Sequence, residues 1–167
     1  YENGKESLFA IQHSTDDGTL YGRLNFSDAL HVPMKFSGSC DFQKPSQNLV
    51  NAYKTVNGLP EFSDYNKADY NANTDKVDPR LYHTVALPGV PYKYDKKNIF
   101  DESWTRNKAV YGLYSSLKEN VALNDPSSVL IDPFRANTKN KIVIRYADVV
   151  LMRAEALIEL DREKEAL

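Results

Sequence analysis

Residues 142–156 read Ile-Val-Ile-Arg-Tyr-Ala-Asp-Val-Val-Leu-Met-Arg-Ala-Glu-Ala, and two further apolar residues follow. Apolar side chains here recur at the three- and four-residue spacing of one helical face. They are Val143, Tyr146, Ala147, Val150, Leu151, Ala154, Leu157 and Ile158. The spacing predicts a continuous amphipathic helix from Arg145 to about Leu160, with its apolar face packed on other protein. The small side chains of Ala147 and Ala154 would let a second helix approach closely.

Regular patterns are few in the rest of the chain. Three short elements are predicted: a half-buried strand at Ser7 to Gln12, a helix at Pro45 to Lys54 capped by Ser46, and a strand at Thr84 to Leu87. A turn is expected at Asn57 and Gly58, where the helical pattern has ended. Residues 19–43 and 60–79 show no period and are rich in turn-forming residues, so we expect loops there.

The composition excludes several classes of protein. Hydrophobic residues make up 41% and charged residues 26% of the 167 positions, as in ordinary globular chains. The net charge of −2 is too small to attract nucleic acid. No apolar run approaches the roughly 18 residues of a membrane-spanning helix. The single cysteine, Cys40, follows no apolar export segment, so it is interpreted as a small buried side chain and not as a lipid-attachment site.

Metal and catalytic motifs are weak in this sequence, so no cofactor is expected. The histidines His13, His31 and His83 lie far apart, without the spacing of metal ligands. Asp69, Asn71, Asn73 and Asp75 resemble half of a calcium loop, but Thr74 and Arg80 occupy the positions that need glycine and glutamate. Candidate glycosidase carboxylates (Asp64, Asp69, Asp101, Glu102) cannot be paired from sequence. An enzyme is therefore the outside alternative.

Aromatic residues in irregular segments are the best candidates for a binding site. The chain has eleven tyrosines and one tryptophan, together with many asparagines. Such a mixture offers flat apolar faces beside neutral hydrogen-bonding groups, which fits a neutral polar ligand. Trp104 lies among polar residues of turn-like composition and is predicted to form an exposed platform for a sugar ring. We expect help from tyrosines in the other irregular stretches, namely Tyr65, Tyr70, Tyr92 and Tyr94.

The run from Ile142 to Ala156 resembles the SusD/RagB family, in which Arg-Tyr-Ala-Asp and a following Ala-Glu-Ala open a tetratricopeptide-like helix. Upstream pieces agree in order and approximate spacing. They are Ser7 to Ser14, Pro45 to Tyr53 with Asn57 and Gly58 after it, and Asp78 to Leu81 leading to Pro88 and Gly89. Together they cover nearly the whole chain. Many members have Asp-Gly where this chain has Asn57-Gly58, a change that preserves the turn chemistry.

The resemblance implies a mainly α fold, with a tetratricopeptide-type helical scaffold carrying a loop-rich region that contains short strands. Residues 1–140 would form the loop-rich ligand-binding region with one short helix, and residues 141–167 a scaffold helix of the same larger domain. Family members are several times longer. The chain is therefore expected to be a partial fold, from the interior to the C-terminal half of such a protein.

The functional implication is a binding protein and not an enzyme. Family members capture oligosaccharide or polysaccharide at the extracellular face of the bacterial outer membrane. They deliver it to a SusC-like TonB-dependent transporter, and an N-terminal lipid anchor holds them to the membrane. RagB-like peptide binding is the alternative, and a glycoside-acting enzyme or a generic protein-interaction repeat module is less favoured. No binding residue carries over from a family motif, so the aromatic candidates rest on their own chemistry.

Overall fold

The computed structural model describes residues 3–19 and 22–166, which fall into two compact units. One unit combines residues 1–25 with 138–167, and the other comprises residues 26–137. The first therefore contains segments from the N-terminal and C-terminal parts of the sequence. The second contains the long irregular segments and most of the buried side chains.

The chain is not mainly α, contrary to the prediction. In the described residues, helices account for 24% and strands for 23%, so neither class dominates. The α-helices in the described ranges are α1 (Ser27–His31), α2 (Gln47–Asn51), α3 (Lys108–Tyr111) and α4 (Tyr146–Glu159). Short 3-10 helices occur at Pro79–His83, Glu102–Trp104 and Glu163–Glu165. Only α4 has a long helical period in its sequence, and the other segments carry too many turn formers to extend a helix.

The described strands are short and pair antiparallel in five two-stranded sheets. They are β1 (Ser7–Ile11), β2 (Thr55–Val56), β3 (Leu59–Pro60), β4 (Val85–Ala86), β5 (Pro91–Tyr92), β6 (Asp95–Ile99), β7 (Ser115–Ser116), β8 (Ser128–Ile131), β9 (Phe134–Asn137) and β10 (Lys141–Arg145). The pairs are β1 with β10, β2 with β3, β4 with β7, β5 with β6 and β8 with β9. The predicted strands at Ser7 to Gln12 and Thr84 to Leu87 are thus confirmed with shorter bounds. The expected half-burial of the first strand is not observed, because Leu8, Phe9 and Ile11 are exposed.

In the first unit, β10 runs directly into α4. The helix begins at Tyr146, three residues after the apolar pattern starts, because residues 141–145 pair with β1. The backbone N–H of Arg145 donates to Asp148 Oδ2 at 3.0 Å, and that of Tyr146 donates to Glu6 O at 2.8 Å. These bonds satisfy donors at the start of the helix, which the helix itself leaves unpaired. The predicted helix at Arg145 to Leu160 is confirmed.

The apolar face of α4 is largely exposed in this chain. Leu151 is 66% exposed, and Tyr146, Val150 and Ile158 are also exposed, whereas Leu157 is 7% exposed. Of the large apolar side chains on this face, Leu157 alone is buried by other residues of this chain. The expected packing of the face on other protein is therefore observed here only at that residue. In the described ranges, no helix has both the length and the apolar character needed to cross a membrane.

The second unit has two buried clusters, which meet at β4. Val85 belongs to a cluster with Val50, Leu81, Leu87 and Tyr114. Its neighbour Ala86 belongs to an aromatic cluster with Tyr92, Phe100 and Trp104. Successive side chains of a strand point to opposite faces, so the two residues of β4 each contribute to a different cluster.

Helix α2 organises the long irregular segment that follows it. Ser46 caps the helix as predicted, its hydroxyl accepting from the Leu49 N–H at 3.1 Å. At the other end, the buried Asn51 amide donates to Asn66 Oδ1 at 2.8 Å and accepts from the Tyr70 N–H at 2.9 Å. Residues 61–78 contain no helix or strand, as predicted, and their position depends on such side-chain bonds to buried groups.

The turn after α2 is a hairpin. Asn57 and Gly58, at φ values of 53° and 81°, connect β2 to β3. Two consecutive residues with positive φ are the requirement of the type I′ turn, which favours Asn-Gly. The predicted turn is confirmed, and the hairpin on either side of it was not predicted.

Several further elements were not predicted, including one helix and two hairpins. Helix α1 lies in the segment expected to be loop, and the hairpins β5–β6 and β8–β9 carried no prediction. Strand β6 reads Asp-Lys-Lys-Asn-Ile, which lacks the alternation of apolar and polar residues that identifies strands. The β8–β9 hairpin is fixed by Gly38, whose carbonyl accepts from the Arg135 N–H at 2.8 Å. A side chain at Gly38 would lie 2.6 Å from that nitrogen.

A buried ion pair connects three separate segments of the second unit. Lys44 Nζ lies 2.7 Å from Asp41 Oδ2, and the two side chains are 6% and 1% exposed. Asp41 also accepts from the Ser115 hydroxyl at 2.7 Å and from the Arg106 N–H at 3.0 Å. Burial lowers the pKa of Lys44, an effect that the bond to Asp41 opposes. A carboxylate loses its hydration when it is buried, and the ion pair and the two hydrogen bonds to Asp41 compensate for that loss.

We predict that Asp41→Asn lowers the free energy of unfolding by about 3–5 kcal/mol, because Lys44 would be left buried without a counter-charge. Urea unfolding monitored by circular dichroism measures the change. Asp64→Asn is the matched control, since Asp64 and Lys67 form an ion pair of the same spacing at 2.6 Å that is exposed to solvent. The control should cost less than about 1 kcal/mol. Equal costs for the two variants would contradict a structural role for the buried pair.

Candidate functional site

A cleft lined by three tyrosines is the best candidate for a ligand site. Tyr70, Tyr82 and Tyr114 lie around a cavity of about 200 Å³, which we call the tyrosine cleft. Its other lining residues are small or apolar: Ala72, Leu87, Pro88, Val90 and Leu113. Pockets for drug-sized molecules usually enclose about 300 to 1,000 Å³. The tyrosine cleft therefore has room for one ring of a larger ligand.

Tyr82 reaches the cleft from a short helix with a strong N-terminal cap. Pro79–His83 forms a 3-10 helix, and Asp78 Oδ1 accepts from the Arg80 N–H at 2.9 Å. The Arg80 side chain also bonds the Asp78 carboxylate, and together these contacts lower the pKa of Asp78 to about 2. Leu81 then faces the core while Tyr82 faces outward. The Asp-Pro sequence thus sets the direction of the tyrosine.

The other two tyrosines are held by residues of α2. The backbone of Tyr70 is fixed by Asn51, as described above, and the Tyr114 hydroxyl donates to Gln47 Oε1 at 3.0 Å. Burial raises the pKa of Tyr114. Burial and then the neighbouring Tyr82 hydroxyl raise the pKa of Tyr70. Both phenols therefore remain protonated hydrogen-bonding groups at neutral pH, beside apolar ring faces.

Trp104 and Tyr92 do not form an exposed platform, and this part of the site prediction is wrong. Trp104 is 5% exposed and makes edge contacts with Phe36 and Phe100, at centroid separations of 5.2 and 5.5 Å. Tyr92 is buried beside it, 6.0 Å away. Lys35 Nζ lies 3.9 Å from the centroid of the Trp104 ring. The indole is therefore part of a core, and a cation covers one of its faces.

The remaining predicted residues lie at different places. Tyr70 lines the tyrosine cleft, and Tyr65 is half-buried in the same irregular segment. Tyr94, at the turn of β5–β6, is exposed, and its hydroxyl is hydrogen-bonded to His83 Nδ1. His83 follows Tyr82 directly, so Tyr94 contacts the helix that carries a cleft residue. Ligand binding by the five predicted residues remains a prediction.

Sequence reasoning missed Tyr82 and Tyr114. A signal for Tyr82 was present, since Asp-Pro opens a short helix and the apolar Leu81 would fix which side chain turns outward. Tyr114 had no such signal, because Gly112 and β7 carry no periodic pattern. Its place depends on a contact with α2, far away in the sequence.

In the segment that resembles a calcium loop, side-chain oxygens accept hydrogen bonds from the backbone of the same segment. Asp75 accepts from the Asn71 N–H at 2.9 Å, and Asn71 Oδ1 accepts from the Asn73 N–H at 3.0 Å. Lys54 Nζ lies 3.8 Å from Asp75. In residues 3–19 and 22–166, no group of three histidine, cysteine or acidic side chains is arranged to hold a metal ion.

Comparison with known proteins identifies the family. A sequence profile of the SusD family matches residues 5–167. The chain belongs to the SusD family. This confirms the resemblance that the residues around Arg145 and Ala154 indicated.

The fold of this SusD family chain is also that of a solved protein. A SusD-like protein from Bacteroides fragilis NCTC 9343 superposes with a TM-score of 0.57 at 19% sequence identity. The alignment covers 98% of this chain and 34% of that protein, so the chain spans about a third of its length. Among curated proteins, none matched.

We predict that Trp104→Ala lowers the free energy of unfolding by about 3–5 kcal/mol, the usual cost of truncating a buried tryptophan. Chemical denaturation monitored by circular dichroism measures it, because the variant lacks the only tryptophan. Tyr94→Ala, which truncates an exposed ring, should stay within about 0.5 kcal/mol of the parent. A Trp104→Ala variant as stable as the parent would show that the indole is not part of the core.

Proposed function

We propose that this chain forms part of the ligand-binding surface of a cell-surface nutrient-binding protein, and that it binds a neutral oligosaccharide or polysaccharide in the tyrosine cleft. The protein would be a lipid-anchored binding protein on the extracellular face of a bacterial outer membrane. It would pass its ligand to a SusC-like TonB-dependent transporter. Membership of the SusD family supports this general role.

The chemistry of the tyrosine cleft is the observation that carries the proposal. The C–H face of a sugar ring is apolar and packs on aromatic faces, whereas its hydroxyls need hydrogen-bonding partners. Tyr70, Tyr82 and Tyr114 provide both kinds of group. Among the described residues, those that line the cleft carry no formal charge. A neutral ligand therefore suits the cleft better than an anion or a cation.

Peptide binding is the alternative, and the cleft gives it less support. A free peptide has charged termini, for which the uncharged lining offers no partner.

Catalysis is not proposed for the tyrosine cleft. SusD family proteins are binding proteins. The raised pKa values of Tyr70 and Tyr114 keep their hydroxyls protonated at neutral pH, so these groups are poor proton acceptors.

We predict that Tyr82→Ala weakens binding of the retained polysaccharide about tenfold, as expected when an aromatic ring that stacks on a ligand is removed. Affinity electrophoresis of the purified protein through gels that contain a panel of neutral polysaccharides identifies the ligand. Isothermal titration calorimetry with an oligosaccharide of that polymer then measures the affinity. Tyr82→Phe keeps the ring and should retain most of the affinity.

Phe62→Ala is the matched control, because Phe62 is an exposed aromatic residue outside the cleft. It should bind as the parent does. Unchanged binding by Tyr82→Ala would exclude the tyrosine cleft as the site. If the parent protein is retained by none of the polysaccharides but binds peptides from a random library, the glycan proposal is wrong and the peptide alternative replaces it.

A further inference from the structure

An arginine between two exposed aromatic residues forms a second site in unit 26–137. The Arg106 guanidinium lies 4.9 Å from the centroid of Phe42 and 5.4 Å from that of Tyr111. The two aromatic residues are 44% and 50% exposed. We call these three residues the Arg106 site. None of them lines the tyrosine cleft.

The backbone under the Arg106 site is held by buried groups. The carboxylate of Asp41 accepts from the Arg106 N–H, and Phe42 is the residue after Asp41. Tyr111 ends α3, whose first turn is capped by Asn107 accepting from the Ala109 N–H at 3.1 Å. The three side chains therefore start from fixed positions, which reduces the entropy that a ligand would have to overcome.

Among the described residues, the guanidinium of Arg106 has no anionic partner. In the described part of the chain, no carboxylate lies within ion-pair distance of it, and no acceptor takes a hydrogen bond from it. The nearby acids have other partners: Glu102 pairs with Lys108 at 2.6 Å, and Asp101 accepts from the Ser103 N–H at 2.9 Å. Five N–H donors in a planar fork thus remain for a ligand.

We propose that the Arg106 site binds a carboxylate-bearing sugar, that is, a uronic acid unit of an acidic glycan. A guanidinium binds a carboxylate through two parallel hydrogen bonds, and the parts of the two aromatic rings that remain exposed beside it can pack on the sugar ring that carries the carboxylate. This inference rests on the proposed glycan-binding function and adds a second, acidic subsite to it. A peptide carboxylate is less favoured because, in the described residues, none of the three belongs to a strand that an extended peptide could pair with.

Calorimetry with tetragalacturonate, its methyl ester and a neutral oligosaccharide retained by the parent tests the proposal. Arg106→Gln should weaken binding of tetragalacturonate at least tenfold and leave binding of the neutral oligosaccharide within twofold. The methyl ester should bind the parent as weakly as tetragalacturonate binds the variant. Binding of tetragalacturonate should also weaken as the salt concentration rises.

Arg153→Gln is the matched control, because it removes the same charge from the exposed face of α4. It should bind tetragalacturonate as the parent does. If Arg106→Gln is unstable, Arg106→Lys keeps the charge without the planar fork and should still lose affinity several-fold.

Equal binding of tetragalacturonate and its methyl ester, or unchanged binding by the Arg106 variants, overturns the proposal. So does tighter binding of a glutamate tetrapeptide than of tetragalacturonate. If the parent binds the neutral oligosaccharide but no uronate, the acidic subsite is wrong and the proposed function stands. If it binds neither, the proposed function fails as well.

Discussion

The buried carboxylate of Asp41 is the interaction on which the arrangement of unit 26–137 depends. It pairs with the Lys44 ammonium and accepts hydrogen bonds from the Ser115 hydroxyl and the Arg106 backbone N–H, so three separate segments meet at one side chain. Ser115 follows Tyr114 of the tyrosine cleft, and Arg106 is the centre of the second proposed site. Both sites are therefore built next to the same buried charge.

The long helix α4 and some of the short elements could be predicted because their signals are local. Helix α4 is specified by apolar spacing, α2 by the serine that caps it, and the turn after α2 by Asn57-Gly58. The expectation of a mainly α fold came from a family resemblance and not from such patterns, and it failed in this chain. The β5–β6 hairpin has a polar second strand, so no alternation of apolar and polar residues marks it in the sequence.

The tryptophan illustrates the same limit at the level of a site. Trp104 is flanked by polar residues, and this local sequence predicts an exposed side chain. Its burial comes from Phe36, Tyr92 and Phe100, which no periodic pattern connects to it. Tyr70 was placed in the site from the composition of its segment, whereas Tyr82 and Tyr114 join it through tertiary contacts. Part of the site could thus be predicted, and the assembly of its three rings could not.

We propose the tyrosine cleft as the place where a glycan ring binds. A crystal structure of the protein with an oligosaccharide that it retains tests this most directly. We expect a sugar ring packed against Tyr82 at van der Waals distance, about 4 Å, with its hydroxyls near those of Tyr70 or Tyr114. A well-ordered oligosaccharide bound only elsewhere, with the cleft unoccupied, would contradict the claim.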